Sequence, residues 1–180
     1  MLGDPLKKFL IAIFFIAVCG HSAWAKAKNS QVSAWSGVVA HVSDGDTLWV
    51  RPDGGGEALK IRIDGIDAPE ICQAWGPESR VALSGYVLHQ RVRVMPRAHD
   101  KFGRTVASLS VHESDVGEWL VQGGHAWANQ FRNYKSRYGV SQAVAQAARR
   151  GLFAAPRPQF PSAFRKRHGP CSRHVPGATS

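Results

Sequence analysis

The sequence has 180 residues, of which 44% are hydrophobic and 20% are charged, and its formal net charge is +10 at pH 7. This length and apolar content suit a single domain with a proper core plus terminal segments, and they exclude a chain of several large domains. The basic excess favours a polyanionic partner, either nucleic acid or an anionic surface, because contacts with phosphates release condensed counterions.

The first 25 residues have the pattern of an export signal. Lys7 and Lys8 precede an apolar run at residues 9–18, and AWA at residues 23–25 gives a small-x-small cleavage pattern. The alternative is a membrane anchor, but the apolar run is shorter than the roughly 20 residues that a spanning helix needs. We therefore expect residues 1–25 to be a signal peptide. The mature protein would be exported, periplasmic or secreted, with no stable membrane insertion and a net charge of +9.

Short apolar stretches after a polar segment at residues 26–35, which we expect to be disordered, predict five strands. In the third of them Leu59, Ile61 and Ile63 alternate with polar residues, so that Arg62 faces away from the core. The five predicted strands are residues 36–42, 47–50, 59–63, 91–95 and 105–111.

Helix signals lie between and after these strands. The predicted starts are Pro77 for a helix to about residue 89, Asp115 with Glu118 for a short helix before Gly123, and Ser141 for residues 142–150. A helix between the third and fourth strands, with others after the fifth, suggests a small closed or partly open β-barrel of the OB type. The fold class is therefore α+β, mainly β, in a domain spanning residues 36–153.

Residues 154–180 are rich in Pro, Arg and His and lack hydrophobic periodicity, which predicts a basic tail with little reason to fold alone. Removal of the leader leaves two cysteines, Cys72 and Cys171, in a compartment that permits oxidation. We predict that they form a disulfide, which would hold the tail beside the acidic residues described next. The alternative is two unrelated thiols.

The segment at residues 44–70, DGDTLWVRPDGGGEALKIRIDGIDAPE, carries acids at both outer ends of a predicted hairpin. Antiparallel pairing of its strands would bring Asp46, Asp67 and Glu70 to one end, near Arg62. Carboxylate oxygens together with a backbone carbonyl are the ligands of a hard cation, so Asp46 and Asp67 would favour calcium over zinc. Each acidic segment alone is more often only a turn or loop.

A second arginine, Arg104, directly precedes the fifth predicted strand and is placed much as Arg62 is. Phosphodiester hydrolysis requires an activated water and neutralisation of charge on the phosphoryl oxygens. A carboxylate, a cation and two arginines would meet these needs, and the planar fork of arginine suits phosphate.

An aromatic and basic segment at residues 127–138 interleaves rings with cations, an arrangement that suits base stacking and phosphate contact on a single strand. For Trp127 and Phe131, packing in a core is an equally good interpretation.

Three motifs occur in order, VSDGDT at residues 42–47, RIDGIDAPE at residues 62–70 and DKFGR at residues 100–104, and together they strongly resemble the staphylococcal nuclease (thermonuclease) family. The resemblance covers about residues 38–153. It implies a five-stranded OB-fold barrel with three α-helices, and a calcium-dependent nuclease acting on DNA and RNA. We expect a monomer that favours single strands. The alternative is a non-catalytic basic OB-fold module that binds single-stranded nucleic acid.

The resemblance also implies roles for the matching residues. Asp46 and Asp67 match the calcium-binding aspartates, and Ala68 replaces a threonine of which the family uses the backbone carbonyl. Glu70 matches the proposed general base. Arg62 and Arg104 match the arginines that stabilise the developing charge.

Substrate contacts follow from the same resemblance and from the aromatic and basic segment. Lys101 matches a phosphate-contacting lysine, and Phe102 stands where the best-studied family member has a tyrosine, which removes a hydroxyl. Trp127, Phe131 and Arg132 complete the expected substrate-binding residues.

Overall fold

The computed structural model describes residues 33–129 and 136–169 together with Cys171. The expected signal peptide, most of the polar segment at residues 26–35, and residues 172–180 of the tail lie outside these residues. So do two of the expected substrate-binding residues, Phe131 and Arg132. In the part of the chain that is described, no helix has the length and apolar character needed to cross a bilayer.

Five strands close into a barrel, as predicted. β1 pairs in antiparallel fashion with β2 and β5, β2 pairs with β3, and β5 pairs with β6. A parallel pairing of β3 with β6 completes the ring, which confirms the OB-type barrel. The strands are β1 Trp35–Asp44, β2 Thr47–Pro52, β3 Leu59–Ile63, β4 Ile66–Asp67, β5 Arg91–His99, β6 Thr105–Val111, β7 Ser114–Asp115 and β8 Trp127–Ala128.

Alternation along the strands decides which side chains fill the barrel. Ile61 and Ile63 in β3 are fully buried, as are Leu48 and Val50 in β2. Their neighbours along each strand point to the other face, since successive side chains of a strand alternate. Leu109 in β6 completes the same core. Arg62 therefore emerges on the outer face of β3, as its position in the sequence predicts.

The described residues contain four α-helices, one more than expected. They are α1 Gly76–Val87, α2 Val116–Gln122, α3 Gly139–Ala147 and α4 Pro161–His168, with a 3-10 turn at Gly151–Ala154. The predicted cap of α2 is present, because the Asp115 carboxylate accepts a hydrogen bond from the Glu118 amide at 2.9 Å. The predicted cap of α3 is wrong. Ser141 lies inside that helix, where its hydroxyl donates to the Glu118 carboxylate at 3.0 Å.

The first part of the tail folds onto the barrel domain. Phe160 packs against Trp127 with ring centroids 4.0 Å apart, and the Gln159 carbonyl accepts a hydrogen bond from the Gln73 side chain at 2.7 Å. Cys72 and Cys171 form a disulfide, which confirms the predicted pairing. The helix of the tail has no continuous apolar face, which is why the tail sequence shows no hydrophobic periodicity. These few long-range contacts hold the helix in place instead.

Candidate active site

An open cleft of about 690 Å³ lies at the end of the β2–β3 hairpin, where the acidic residues collect. Antiparallel pairing sets Thr47 opposite Arg62, so the residue before β2 and the residues after β3 reach the same end of the barrel. The cleft is lined by charged side chains and a few apolar ones, namely Asp44, Asp46, Lys60, Arg62, Ala68, Pro69, Glu70, Lys101, Phe102, Arg104 and Arg165.

Asp46 is fixed at the base of the cleft by backbone and side-chain donors. Its Oδ2 accepts the Ala68 amide at 2.9 Å, and its Oδ1 accepts the Thr47 hydroxyl at 3.0 Å. Its own carbonyl accepts the Ile63 amide at 2.8 Å. The residue is 7% exposed, so this buried carboxylate has its hydrogen bonds satisfied and its orientation set by two strands.

Arg62 connects Asp46 to Asp67. Its Nη1 lies 3.1 Å from Asp46 Oδ2, and its Nη2 lies 3.2 Å from Asp67 Oδ1. The same Nη1 donates to the carbonyls of Ile63 and Ile66, each at 2.9 Å. The side chain of Arg62 projects from the outer face of β3 and is not packed in the core. These bonds nevertheless hold its guanidinium in one position. The two expected metal ligands and one expected catalytic arginine are therefore in direct contact.

The acids of the cleft are crowded, and two of them are largely buried. Burial, followed by the negative charge of Asp46, raises the pKa of Asp44 to about 7. Burial also raises the pKa of Asp67, and the hydrogen bond from Arg165 and the charge of Arg62 offset only part of this effect. Both shifts disfavour the ionised form and would be relieved by a further cation.

Replacement of Asp44 by Asn should remove a pH-dependent loss of stability. Between pH 4 and pH 7 the folded state keeps a proton on Asp44 that the unfolded state has released, so stability falls as the pH rises. From pH 4.5 to pH 7, the free energy of unfolding of Asp44→Asn should therefore rise relative to wild type, on the order of 2 kcal/mol. Urea denaturation in the presence of chelator measures this difference.

The matched control for that experiment is Glu57→Gln, because Glu57 is an exposed loop residue. It makes the same acid-to-amide change away from the cleft and so controls for the loss of one negative charge. A parallel pH dependence of wild type and Asp44→Asn would show that Asp44 is ionised normally.

Arg104 reaches the cleft from the loop position directly before β6. Its Nε lies 2.7 Å from Asp100 Oδ2, and its Nη1 lies 3.5 Å from the Thr47 hydroxyl. Asp100 also accepts the backbone amides of Phe102 and Arg104, at 2.9 and 3.0 Å, so the loop forms around this carboxylate. Arg104 thus reaches Thr47, the residue that directly follows Asp46.

An exposed aromatic ring and two cations form one rim of the cleft. Phe102 is 72% exposed. Lys101 Nζ lies 5.1 Å from the centre of its ring, and Arg104 Cζ lies 5.5 Å from it. This arrangement suits a stacked base next to a phosphate.

Glu70 also lines the cleft, from the loop before α1. Its amide donates to the Gln73 side chain at 3.2 Å. Gly76 packs so closely on the Glu70 carbonyl that a Cβ at residue 76 would overlap it. The backbone of Glu70 is therefore fixed while its carboxylate remains partly exposed, at 24%.

Arg165 of α4 also enters the cleft, and the sequence interpretation missed it. Its Nη1 lies 2.6 Å from Glu70 Oε1, and its Nη2 lies 3.2 Å from Asp67 Oδ2. Burial of the guanidinium opposes its charge, but the bonds to Asp67 and Glu70 outweigh this and raise the pKa of Arg165. The only signal in the sequence is the disulfide prediction, which places the tail near these acids.

Comparison with known sequences identifies the domain. The sequence model described as staphylococcal nuclease homologue matches residues 60–155. An uncharacterized endonuclease of Haemophilus influenzae is 32% identical over 89% of this chain and 86% of its own length. The chain belongs to the staphylococcal nuclease family. The resemblance carried by the three motifs is thereby confirmed.

Other members of the staphylococcal nuclease family show how far the match extends. A micrococcal nuclease of Shigella flexneri is 28% identical over 75% of this chain and 84% of its own length. A probable staphylococcal-like nuclease of Oryza sativa subsp. japonica is 35% identical over 59% of this chain, which corresponds to 29% of that longer protein.

The acidic end of the cleft fits the divalent metal that the staphylococcal nuclease family implies. Asp46 and Asp67 offer oxygen donors only, and burial raises the pKa values of Asp44 and Asp67, a shift that a bound cation would oppose. Within the described residues, no group of three or more His, Cys, Asp or Glu is arranged to hold a metal. A cation here would therefore take its remaining ligands from backbone carbonyls and water, as hard cations do.

The described part of the aromatic and basic segment is mainly structural in this family member. Trp127 is only 5% exposed and packs edge-on against Phe153, which favours the packing interpretation over base stacking. Tyr138 is buried and donates to Asp115 at 2.8 Å. Arg137 lies over the Tyr138 ring at 4.6 Å and bonds the Ser108 hydroxyl at 3.1 Å.

Proposed function

We propose that this chain is a calcium-dependent nuclease that hydrolyses phosphodiester bonds of DNA and RNA and leaves 3′-phosphate products. The observation that carries the proposal is the convergence of Asp46, Asp67, Glu70, Arg62 and Arg104 on one cleft. Membership of the staphylococcal nuclease family supports the same reaction class.

Asp46, Asp67 and the carbonyl of Ala68 would hold the calcium ion. When bound, the ion neutralises charge on the phosphate and supplies Lewis acidity. Glu70 is the general base in this proposal, because its partly exposed carboxylate can take a proton from a water that attacks the phosphorus.

The two arginines stabilise the charge that develops as the bond to the leaving oxygen breaks. Arg62 lies in β3, and Arg104 directly precedes β6, the strand that pairs with β3 in parallel. Their donors are held in place by carbonyls and by Asp100, respectively. Preorganised donors of this kind contribute most when water is partly excluded.

Substrate binding would use the exposed rim of the cleft. Phe102 provides a stacking surface and Lys101 a phosphate contact, which favours a single strand whose bases are free to stack. Phe131 and Arg132 remain proposed substrate contacts on the basis of their sequence alone. We also propose that the mature protein is an exported monomer, an assignment that the disulfide supports because such bonds persist in oxidising compartments.

Incubation of the protein with denatured DNA should produce degradation with calcium and none with chelator. Addition of excess calcium after chelation should restore cleavage, whereas zinc should not. Gel analysis of product length measures this, and end-labelling identifies the 3′-phosphate. DNA binding without calcium-dependent cleavage would instead support a non-catalytic OB-fold module.

A further inference from the structure

Residues 159–169 of the tail, together with Cys171, lie on the acidic side of the cleft, and we call them the tail latch. Its helix, α4, places Arg165 against the carboxylates of Asp67 and Glu70. Arg165 is 98 residues from Asp67 and 95 residues from Glu70 in the sequence. These contacts therefore belong to the tertiary fold rather than to local structure.

Arg165 occupies the oxygens that the proposed reaction needs. Both carboxylate oxygens of Asp67 accept from it, at 3.3 and 3.2 Å, and Oδ1 also accepts from Arg62. A metal ligand so engaged has few lone pairs left for a cation. Glu70 Oε1 accepts from Arg165 at 2.6 Å, so the proposed base is engaged as well.

The latch is anchored on both sides of Arg165. Before α4, the Gln159 carbonyl and the Phe160 ring contact Gln73 and Trp127. After α4, Cys171 is bonded to Cys72, two residues beyond Glu70. A covalent tether beside the site keeps Arg165 at high effective concentration there.

Between these anchors the latch buries little of its helix, and the ion pairs of Arg165 are its main contact with the cleft. Pro161 is the buried residue of α4, and the Arg165 side chain is 40% exposed. Few buried apolar contacts and exposed backbone hydrogen bonds are features of segments that open locally. Arg165 is thus placed to leave the cleft without unfolding the barrel.

We propose that the tail latch is an autoinhibitory element in which Arg165 competes with the metal ion for Asp67 and engages the proposed base Glu70, with the Cys72–Cys171 disulfide holding it in place. The inference rests on the proposed function. Calcium binding displaces Arg165, and absence of the disulfide makes this displacement easier. The apparent metal affinity equals the intrinsic affinity multiplied by the fraction of molecules whose latch is open.

Calorimetric titration of the full chain with calcium tests the latch. Arg165→Ala should bind calcium about tenfold more tightly than wild type, whereas Arg167→Ala, which removes the same charge from an exposed position of the same helix, should change affinity less than twofold. The Cys72→Ser/Cys171→Ser double variant keeps Arg165 and the net charge, and it should also bind more tightly. In the Arg165→Ala background, loss of the disulfide should have no further effect.

Amide hydrogen exchange gives a readout that is independent of affinity. Addition of calcium to wild type should speed exchange in residues 163–168, where α4 is released. Unchanged calcium affinity in Arg165→Ala, with a raised KM for DNA, would overturn the latch and make Arg165 a substrate-binding residue. In that outcome the proposed function stands, because wild type still cleaves DNA in a calcium-dependent way. If neither wild type nor any variant binds calcium or cleaves DNA, the proposed function is overturned together with the latch.

Discussion

Replacement of Glu70 by glutamine is expected to lower the rate of phosphodiester hydrolysis by about 10²- to 10⁴-fold, the usual contribution of a positioned general base. Glutamine has nearly the same shape but cannot accept the proton of the attacking water. Since the Glu70 backbone is fixed by Gln73 and by close packing on Gly76, the substitution should leave the cleft intact. Single-turnover cleavage of denatured DNA in calcium measures the chemical step.

Two further measurements make the Glu70 result specific. Glu57→Gln makes the same chemical change on an exposed loop and should cleave at the wild-type rate. Binding of Glu70→Gln to a labelled oligonucleotide, followed by fluorescence anisotropy, should stay within a few-fold of wild type. Near-normal turnover in Glu70→Gln would remove Glu70 as the base and direct attention to another water-activating group.

Replacement of Gly124 by alanine should lower the free energy of unfolding by about 2–5 kcal/mol, from the combined cost of left-handed backbone and overpacking. Gly124 has a φ of +74°, and a Cβ there would overlap the carbonyl oxygen of Arg150. The segment cannot move away easily, because the Leu152 amide donates to the Gly124 carbonyl at 2.9 Å. Urea denaturation followed by circular dichroism measures the loss.

Gly54→Ala is the matched control, because Gly54 lies in the β2–β3 loop with nothing within 4 Å of the added Cβ. Its stability should remain within about 0.5 kcal/mol of wild type, as for ordinary surface substitutions. A loss below 1 kcal/mol in Gly124→Ala would mean that the turn after α2 and the start of the 3-10 turn separate at little cost.

The barrel and the acidic cleft were predictable because their signals are local. Alternation of Ile61 and Ile63 with Arg62 sets both the strand and the face on which the arginine emerges. Hairpin pairing then brings the acids after β3 to those before β2, with no information from the rest of the chain. The Asp115 cap of α2 is equally local, since donor and acceptor are three residues apart.

The features that sequence reasoning missed depend on distant partners. The sequence near Arg165 does not indicate that this residue contacts Asp67 and Glu70. Its helix lacks the apolar face from which the packing of a helix is usually predicted. Serine is a residue type that often caps helices, but the hydroxyl of Ser141 instead donates a hydrogen bond to Glu118 of another helix. For Trp127 the sequence leaves core packing and base stacking equally open, and only the folded chain, which buries this ring, favours packing.

The parallel pairing of β3 with β6 has a consequence for the order of assembly. Ile61 lies opposite Thr105, so Arg62 and Arg104 line the same cleft only when strands far apart in the sequence have joined. Such non-local contacts form slowly, because loop closure costs entropy before the contacts compensate for it. A chain that has formed the β2–β3 hairpin alone would thus hold the acids and one arginine without hydrolytic competence. On the proposed route of export, a chain translocated unfolded would become able to cut nucleic acid only after its barrel had closed outside the cytoplasm.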